Sequence, residues 1–376
     1  MEKTKIKTLV RQIRGVSYKP EDLHNELDDN SVVLLRANNI DEGKINFDDV
    51  VYVDKSKVSD EQYLKCGDIL ICASSGSKNL VGKAANIRFD MECTFGAFCK
   101  VVRPKEGFSD YLSVYFQSPI YRRKISEVAI GANINNIRNE HIDELDIPVF
   151  SNDEQASIVK KMYLIQEVIS NRKAELEKLD NLIKARFVEM FVDRDYPLIV
   201  LDELSLGKGE YGAQSASIDY NSSRPRYVRI TDINDDGTLN DDLVSSANVE
   251  DDKQYKLSYG DFMFARMGAT VGKTYAYKSG NQIFAGYLIR YRLNLEKIIP
   301  EYLYAYTKLD EYRNWVLLNQ SGAAQPGINA KKYGSLRVPV APLKEQKAFV
   351  KFVKQVDKSK FVLQKTFQII HYSDIM

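Results

Sequence analysis

A long internal repeat constrains this chain more than any single motif. Most of the stretch from Gly131 to Phe191 returns 191 positions later. Gly131, Ile137, Ile147-Pro148 and Glu154-Gln155 are matched by Gly322, Ile328, Val338-Pro339 and Glu345-Gln346. Each copy passes from a Gly loop through an apolar-Pro strand signal into a helical pattern with one apolar register. In the first copy Ile158, Met162, Ile165, Ile169, Arg172, Leu176, Leu179, Ile183, Arg186 and Met190 alternate steps of four and three. Adding the repeat offset gives Phe349, Val353, Val356, Lys360, Leu363, Phe367 and Ile370 in the second. That alternation is the a/d repeat of a left-handed coiled coil. Arg172 and Lys360 interrupt the seam where a polar residue can specify register. A simple amphipathic helix packed on its own domain needs fewer than the roughly four heptads seen here.

The repeat extends further back. Tyr227 to Ile233 followed by Asp235-Asp236-Gly237 parallels Arg36 to Gly43, and Gly260-Asp261-Phe262 parallels Gly67-Asp68-Ile69. The Arg266 to Lys273 loop parallels Ser74 to Lys83, and Tyr302, Tyr306 and Tyr312 match Tyr111, Tyr115 and Tyr121. Offsets drift by a few residues, as loop-length changes between duplicated domains require. Val32 to Ile40, Gly67 to Ala73 and Ala97 to Arg103 read as strands bounded by turn residues, and Ser109 to Ile125 as a helix. Short Gly-bounded strands with few helices read as α+β. The expected layout is a first domain at 1–150, a spacer helix at 151–192, a second domain at 193–342 and a C-terminal spacer helix at 343–376. If the two seams close on each other, the helices form an antiparallel pair and a pseudo-two-fold axis relates the domains. The rise from Ile158 to Met190 is roughly 48 Å at 1.5 Å per residue. That compares with one turn of B-DNA, about 34 to 36 Å, so such a pair suits two unlike half-sites held at fixed separation.

A length of 376 residues, 44% hydrophobic and 28% charged, fits two soluble domains plus connecting structure. The sequence has no apolar run long enough for a membrane span and no apolar N-terminal signal region, which points to the cytoplasm. Cys66, Cys72, Cys93 and Cys99 all fall in the first repeat, with five residues inside each pair. Zinc pairs are usually spaced by two to four, so these read as reduced thiols in strands. With 53 basic against 52 acidic residues the net charge is +1, so nucleic-acid binding must rest on local clustering rather than a basic field.

Several chemistries can be tested and set aside. Gly268 to Thr274 has three residues between its Gly and Gly-Lys-Thr, where a phosphate loop needs four. There is no Pro-Pro pair for the polar-Pro-Pro-aromatic pocket of a base methyltransferase. His24, His141 and His371 occupy unmatched repeat positions, so a duplicated His-based active site is not available. Asp232 to Asp236 reads as a solvated turn rather than a cation site. Recognition is favoured over catalysis. The candidate DNA-facing side chains are Ser74, Ser75, Ser77, Lys78, Asn79 and Lys83 in the first unit. In the second they are Tyr211, Gln214, Ser215, Arg224, Arg226, Arg266 and Lys273. Arg pairs geometrically with guanine and Gln or Asn with adenine. Lys83 and Lys273 share a repeat position and are assigned to phosphate.

Gly209 to Ala216 followed by Arg226 to Ile233 resembles the opening of a target recognition domain in type I restriction-modification specificity subunits. Ile137 through Ile147-Pro148 to Glu154-Gln155, and Ile328 through Val338-Pro339 to Glu345-Gln346, look like that family's run into its spacer helices. Near the start of the first unit, Arg14 to Tyr18 is only a loose counterpart of Gly209 to Ala216. The resemblance covers essentially the whole chain. It implies a non-catalytic subunit whose two domains each read half of a bipartite asymmetric site on double-stranded DNA. It implies assembly with two methyltransferase subunits and with translocating restriction subunits. It further implies that S-adenosylmethionine, ATP and Mg are held by those partners, with no cofactor expected on this chain. Two other readings stay open at this point: the recognition subunit of a type IIB-like system, and a tandem scaffold that binds no DNA.

Overall fold

The computed structural model describes residues 2–77, 80–128, 135–322 and 326–372. The chain divides into two compact units, Met1–Val168 and Ile169–Met376, and the helix Asn152–Phe187 runs through the boundary between them. Both units are mixed helix and sheet.

In the first unit, a four-stranded antiparallel sheet has the order Ala84–Asn86, Ile69–Cys72, Cys99–Pro104, Val10–Arg14. Its central strand is buried on both faces, and the two-residue period of a strand sorts its side chains. Ile69 and Ile71 pack under the helices Ser109–Gln117 and Pro119–Val128, while Leu70 and Cys72 face a second layer with Leu35 and Phe95. That layer belongs to a sheet in which Cys93–Phe95 runs parallel to Ser31–Leu35 and the remaining pairings are antiparallel. The second unit repeats the plan. Its sheet has the order Glu210–Tyr211, Leu288–Arg292, Asp261–Ala265, Thr274–Ala276. There Phe262 and Phe264 face the helices, and Met263 and Ala265 face the opposite layer. Arg226–Val228 runs parallel to Gln282–Phe284, as its counterparts do in the first unit.

The repeated tyrosines act as latches. Tyr111 and Tyr115 donate from their hydroxyls to the carbonyls of Pro148 and Asp146. Tyr302 and Tyr306 do the same to Pro339 and Arg337, at 2.7 and 2.9 Å. Each pair ties a domain helix to the strand that leads into the long helix. The Glu-Gln pair has an equally local reason. Gln155 and Gln346 are buried and donate to the carbonyls of Phe150 and Ala341, five residues back, which closes the helix entrance. Glu154 accepts from the backbone N–H and hydroxyl of Ser151, completing that N-terminus.

Three expectations are revised. The helix expected over Ser109 to Ile125 is two helices, because Pro119 lacks the N–H that continuing the first would require. The strand expected over Val32 to Ile40 ends at Leu35. There the Asn39 side chain accepts from Arg36 N at 2.8 Å and starts a 3-10 turn. Cys72, Cys93 and Cys99 are free thiols in strands, but Cys66 is exposed in the turn before one.

The seam positions from Ile158 to Ile183 are all half-buried, Arg172 included, and near the start of the helix Val159, Tyr163 and Gln166 are half-buried beside them. Ile158 packs on the first unit's core, as its repeat partner Phe349 does on the second's. Beyond Ile183 the buried positions are Phe187 and Phe191 rather than Arg186 and Met190. The helix there passes into a π turn over Val188–Val192, and exposed Arg186 pairs with Glu189 at 2.7 Å. Phe187 and Phe191 meet Phe349 with ring centroids 5.3 and 5.5 Å apart. Asp180 accepts from Lys360 Nζ at 2.6 Å. The chain thus runs back from Phe191 to Asp180 on one helix as it runs forward from Phe349 to Lys360 on Leu343–Tyr372. Within the second unit the two helices are antiparallel. On this second helix Val356 is buried and Val353 and Leu363 are half-buried. The side chain of Phe367 lies outside the described residues, as does the loop 129–134.

Candidate nucleic-acid interface

Each unit brings the same set of backbone segments to one end of its sheets. In the first, Val16 N donates to Phe95 O and Ala97 N to Val16 O. In the second, Ala213 N donates to Phe284 O and Gly286 N to Ala213 O. The strand approach is so close that a Cβ on Gly15 would lie 2.1 Å from Gly96 O, and one on Gly212 2.3 Å from Ala285 O. No side chain fits there, so Gly15-Val16 and Gly212-Ala213 are equivalent and the loose counterpart near Arg14 acquires a firm register. The equivalence continues outward. Phe98 O accepts from Ala73 N and Tyr287 O from Arg266 N, while Ala73 O accepts from Ile137 N and Arg266 O from Ile328 N.

The side chains carried by this common frame differ. Where the first unit has Arg14, Ser17, Ala73 and Ala97, the second has Tyr211, Gln214, Arg266 and Gly286. Both carry an outward aromatic on the turn, Phe98 at 70% exposure and Tyr287 at 57%. Neither was singled out in the sequence, although Phe95-Gly96-Ala97-Phe98 beside Phe284-Ala285-Gly286-Tyr287 is a signal that finds them. In the second unit this end opens into a cleft of about 450 Å³ lined by Gln214, Ser215, Ser217, Arg229, Gly286 and Tyr287 among others.

The sequence candidates separate by partner. Arg266 lies with its guanidinium 4.9 Å from the centre of the Tyr211 ring, and Tyr211 in turn accepts from Ala330 N through its hydroxyl. Gln214 is exposed, and its side-chain amide covers Gly286, where an added Cβ would lie 2.3 Å from Nε2. Ser215 sits beside it, its hydroxyl bonded to the carbonyls of Ala216 and Asn248. Arg224 is bonded to Ala247 O and Asn248 Oδ1. Arg226 is bound by Asp241 at 2.6 Å and by the carbonyl of Asn240. Lys273, expected to meet phosphate, instead pairs with Asp235 at 2.7 Å, which holds that carboxyl below its usual range. Contact with a phosphate requires that pairing to exchange. Asp232, expected in a solvated turn, is fully buried and accepts the Arg229 guanidinium at 2.8 Å.

In the first unit Ser74–Ser75 is a half-buried strand paired with Asn135–Asn136, Ser77 is exposed, and Lys83 is half-buried in the position equivalent to Lys273. Lys78 and Asn79 lie outside the described residues. Among the described residues, no helix is long and apolar enough to cross a membrane.

Two α+β units on one repeated frame, presenting unlike side chains at equivalent loops and joined through a long helix, define a duplicated recognition module. Residues 208–369 match the type I restriction modification DNA specificity domain. The chain is 31% identical to the type I restriction enzyme StySPI specificity subunit of Salmonella potsdam, over 93% of this chain and 81% of that one. It is likewise 31% identical, with the same coverage, to the EcoKI specificity subunit of Escherichia coli K12. Its fold matches a solved chain from work on complex assembly and conformational transition of the type I R-M system. The TM-score there is 0.56 at 16% identity, covering 98% of this chain and 94% of that one. The chain belongs to the family of type I restriction enzyme specificity subunits.

Proposed function

We propose that the chain directs a type I restriction-modification complex to a bipartite, asymmetric DNA site and performs no catalysis itself. Each unit reads one half-site, and the long helices set the separation and dock two methyltransferase subunits. Restriction subunits join that assembly, acting on double-stranded DNA in the cytoplasm. S-adenosylmethionine, ATP and Mg are held by the partners. The observation that carries this reading is the repeated frame with exchanged side chains. A scaffold duplicated down to its hydrogen bonds, yet different at Arg14/Tyr211, Ser17/Gln214 and Ala73/Arg266, is what two unlike sequence readers require. Phosphate contacts position a protein on DNA while base-edge contacts specify sequence. A near-neutral chain suits the second role if its partners supply much of the electrostatic grip.

The test is co-expression with the cognate methyltransferase subunit in a host lacking other adenine methylation, followed by long-read mapping of methylated bases. The expected result is one bipartite motif with unlike halves and an unspecified spacer. Methylation without sequence preference, or a single continuous motif, refutes the reading.

A further inference from the structure

We propose that, in the second unit, Arg266 reads the O6/N7 edge of a guanine and Gln214 the N6/N7 edge of an adenine, with Tyr211 and Gly286 as their respective positioning residues. The inference rests on the chain being a DNA-specificity subunit and adds which bases this unit selects and through which side chains. Arg266 and Gln214 flank one turn. Arg266 N is bonded to Tyr287 O at 3.0 Å, and the Gln214 amide lies across the adjacent Gly286.

Arg266 differs from its neighbours in how it is held. Arg226, Arg229 and Lys273 are neutralised by Asp241, Asp232 and Asp235. Among the described residues no carboxylate lies within ion-pair distance of Arg266. Its guanidinium rests instead on the Tyr211 face, and its Nε is out of water with no acceptor among those residues. Stacking on a ring restricts the plane of the guanidinium without neutralising its charge. A fixed planar fork is what bidentate binding to guanine needs, whereas a phosphate accepts a rotating point charge as well.

Gln214 owes its place to a missing Cβ. At the equivalent position the first unit has Ala97, and opposite it the short Ser17. The long amide and the glycine therefore occur together, and the short hydroxyl and the alanine together. The side-chain amide pairs bidentately with adenine, and the cleft beside it is open. The first unit carries neither an Arg nor a Gln at these places, so its half-site is not expected to share this guanine and adenine.

The test maps methylated motifs for the full complex carrying Gln214→Ala, Gly286→Ala, Arg266→Lys, Tyr211→Leu or Tyr211→Phe. Gly286→Ala should fold normally, because the three atoms nearest the added Cβ all belong to the end of the flexible Gln214 side chain. Gln214→Ala and Gly286→Ala should relax the same adenine position in one half-site, lowering discrimination about ten-fold or more. Arg266→Lys and Tyr211→Leu should relax one guanine position in that same half-site, and Tyr211→Phe, which keeps the ring, should restore the preference. The other half-site should be unchanged in every case. If the unaltered complex methylates a bipartite motif but these variants keep its base preferences, or lose methylation uniformly while the complex still assembles, the inference is overturned and the function stands. If the unaltered complex has no bipartite motif, the function itself fails.

Discussion

At the residue scale, burial decides the chemistry of the thiols. Cys72 and Cys93 sit between layers of sheet, and desolvation pushes their thiols up to about 11 and about 12; burial raises Cys99 as well. The thiolate is the reactive form, so at pH 8 a thiol reagent should label Cys66 promptly and the other three only after unfolding. Mass spectrometry of the labelled chain, native and in denaturant, checks this; rapid native labelling of Cys72 contradicts it. The sign of the linked stability follows. A thiol raised in the folded state favours folding fully below its ordinary value near 8.5, and that contribution is lost as pH climbs through the folded value. Stability should therefore decline from pH 8.5 toward 11, and less steeply in Cys93→Ala. The same scale shows what sequence reading missed at the interface. Arg226 and Lys273 looked like free cations because their carboxylate partners, Asp241 and Asp235, lie in a separate loop whose approach is set by the fold. Tyr211 and Gln214 were legible as polar groups, but Arg266 and Gly286, which they contact, lie in loops more than fifty positions away.

At the scale of elements, the heptad pattern was legible because periodicity needs no partner to be read. Its final turn was not, since Phe187 and Phe191 step by four rather than four and three, following a domain core the pattern does not contain. This bears on which contact holds the antiparallel pair in the second unit. Lys360 and Asp180 form an ion pair with one member about half exposed, and such pairs contribute about 0.2–1 kcal/mol. Phe349 is fully buried against Phe187 and Phe191, and truncating a buried Phe costs about 3–5 kcal/mol. Phe349→Ala should therefore lower the urea midpoint sharply, while Lys360→Ala should shift it by at most about a third as much. Equal effects of the two would mean that the polar pair, not the aromatic contact, joins these helices. The Ser109 to Ile125 misreading has a different origin. Both halves are amphipathic on one face, so apolar pattern alone carries across Ser118-Pro119 although the backbone cannot.

At the scale of the whole molecule, duplication made the two-domain plan readable while leaving the chemistry of each unit to local detail. Matching residues such as Tyr111 and Tyr302 perform matching tasks, so an offset in sequence carries over to structure. Unlike residues at equivalent loops carry no such guarantee, and they are where recognition is proposed to lie. That division makes exchange of one unit informative. Replacing residues 1–150 with the corresponding segment of a relative of different specificity leaves Gln155 and the helix Asn152–Phe187 in place. It also leaves untouched the Phe349 contacts that join this helix to Leu343–Tyr372. Under the modular reading, the methylated motif should change in one half only, with the spacer and the other half retained. A change in both halves would mean that the units read DNA jointly. Deleting one heptad from each helix at opposed positions, 171–177 and 361–367, separates ruler from reader. About 10 Å of helix is removed, so the spacer should shorten by at most about three base pairs of B-DNA. The half-sites should persist because no residue of either reading end is touched. Altered half-sites at an unchanged spacing would place the ruler elsewhere in the complex.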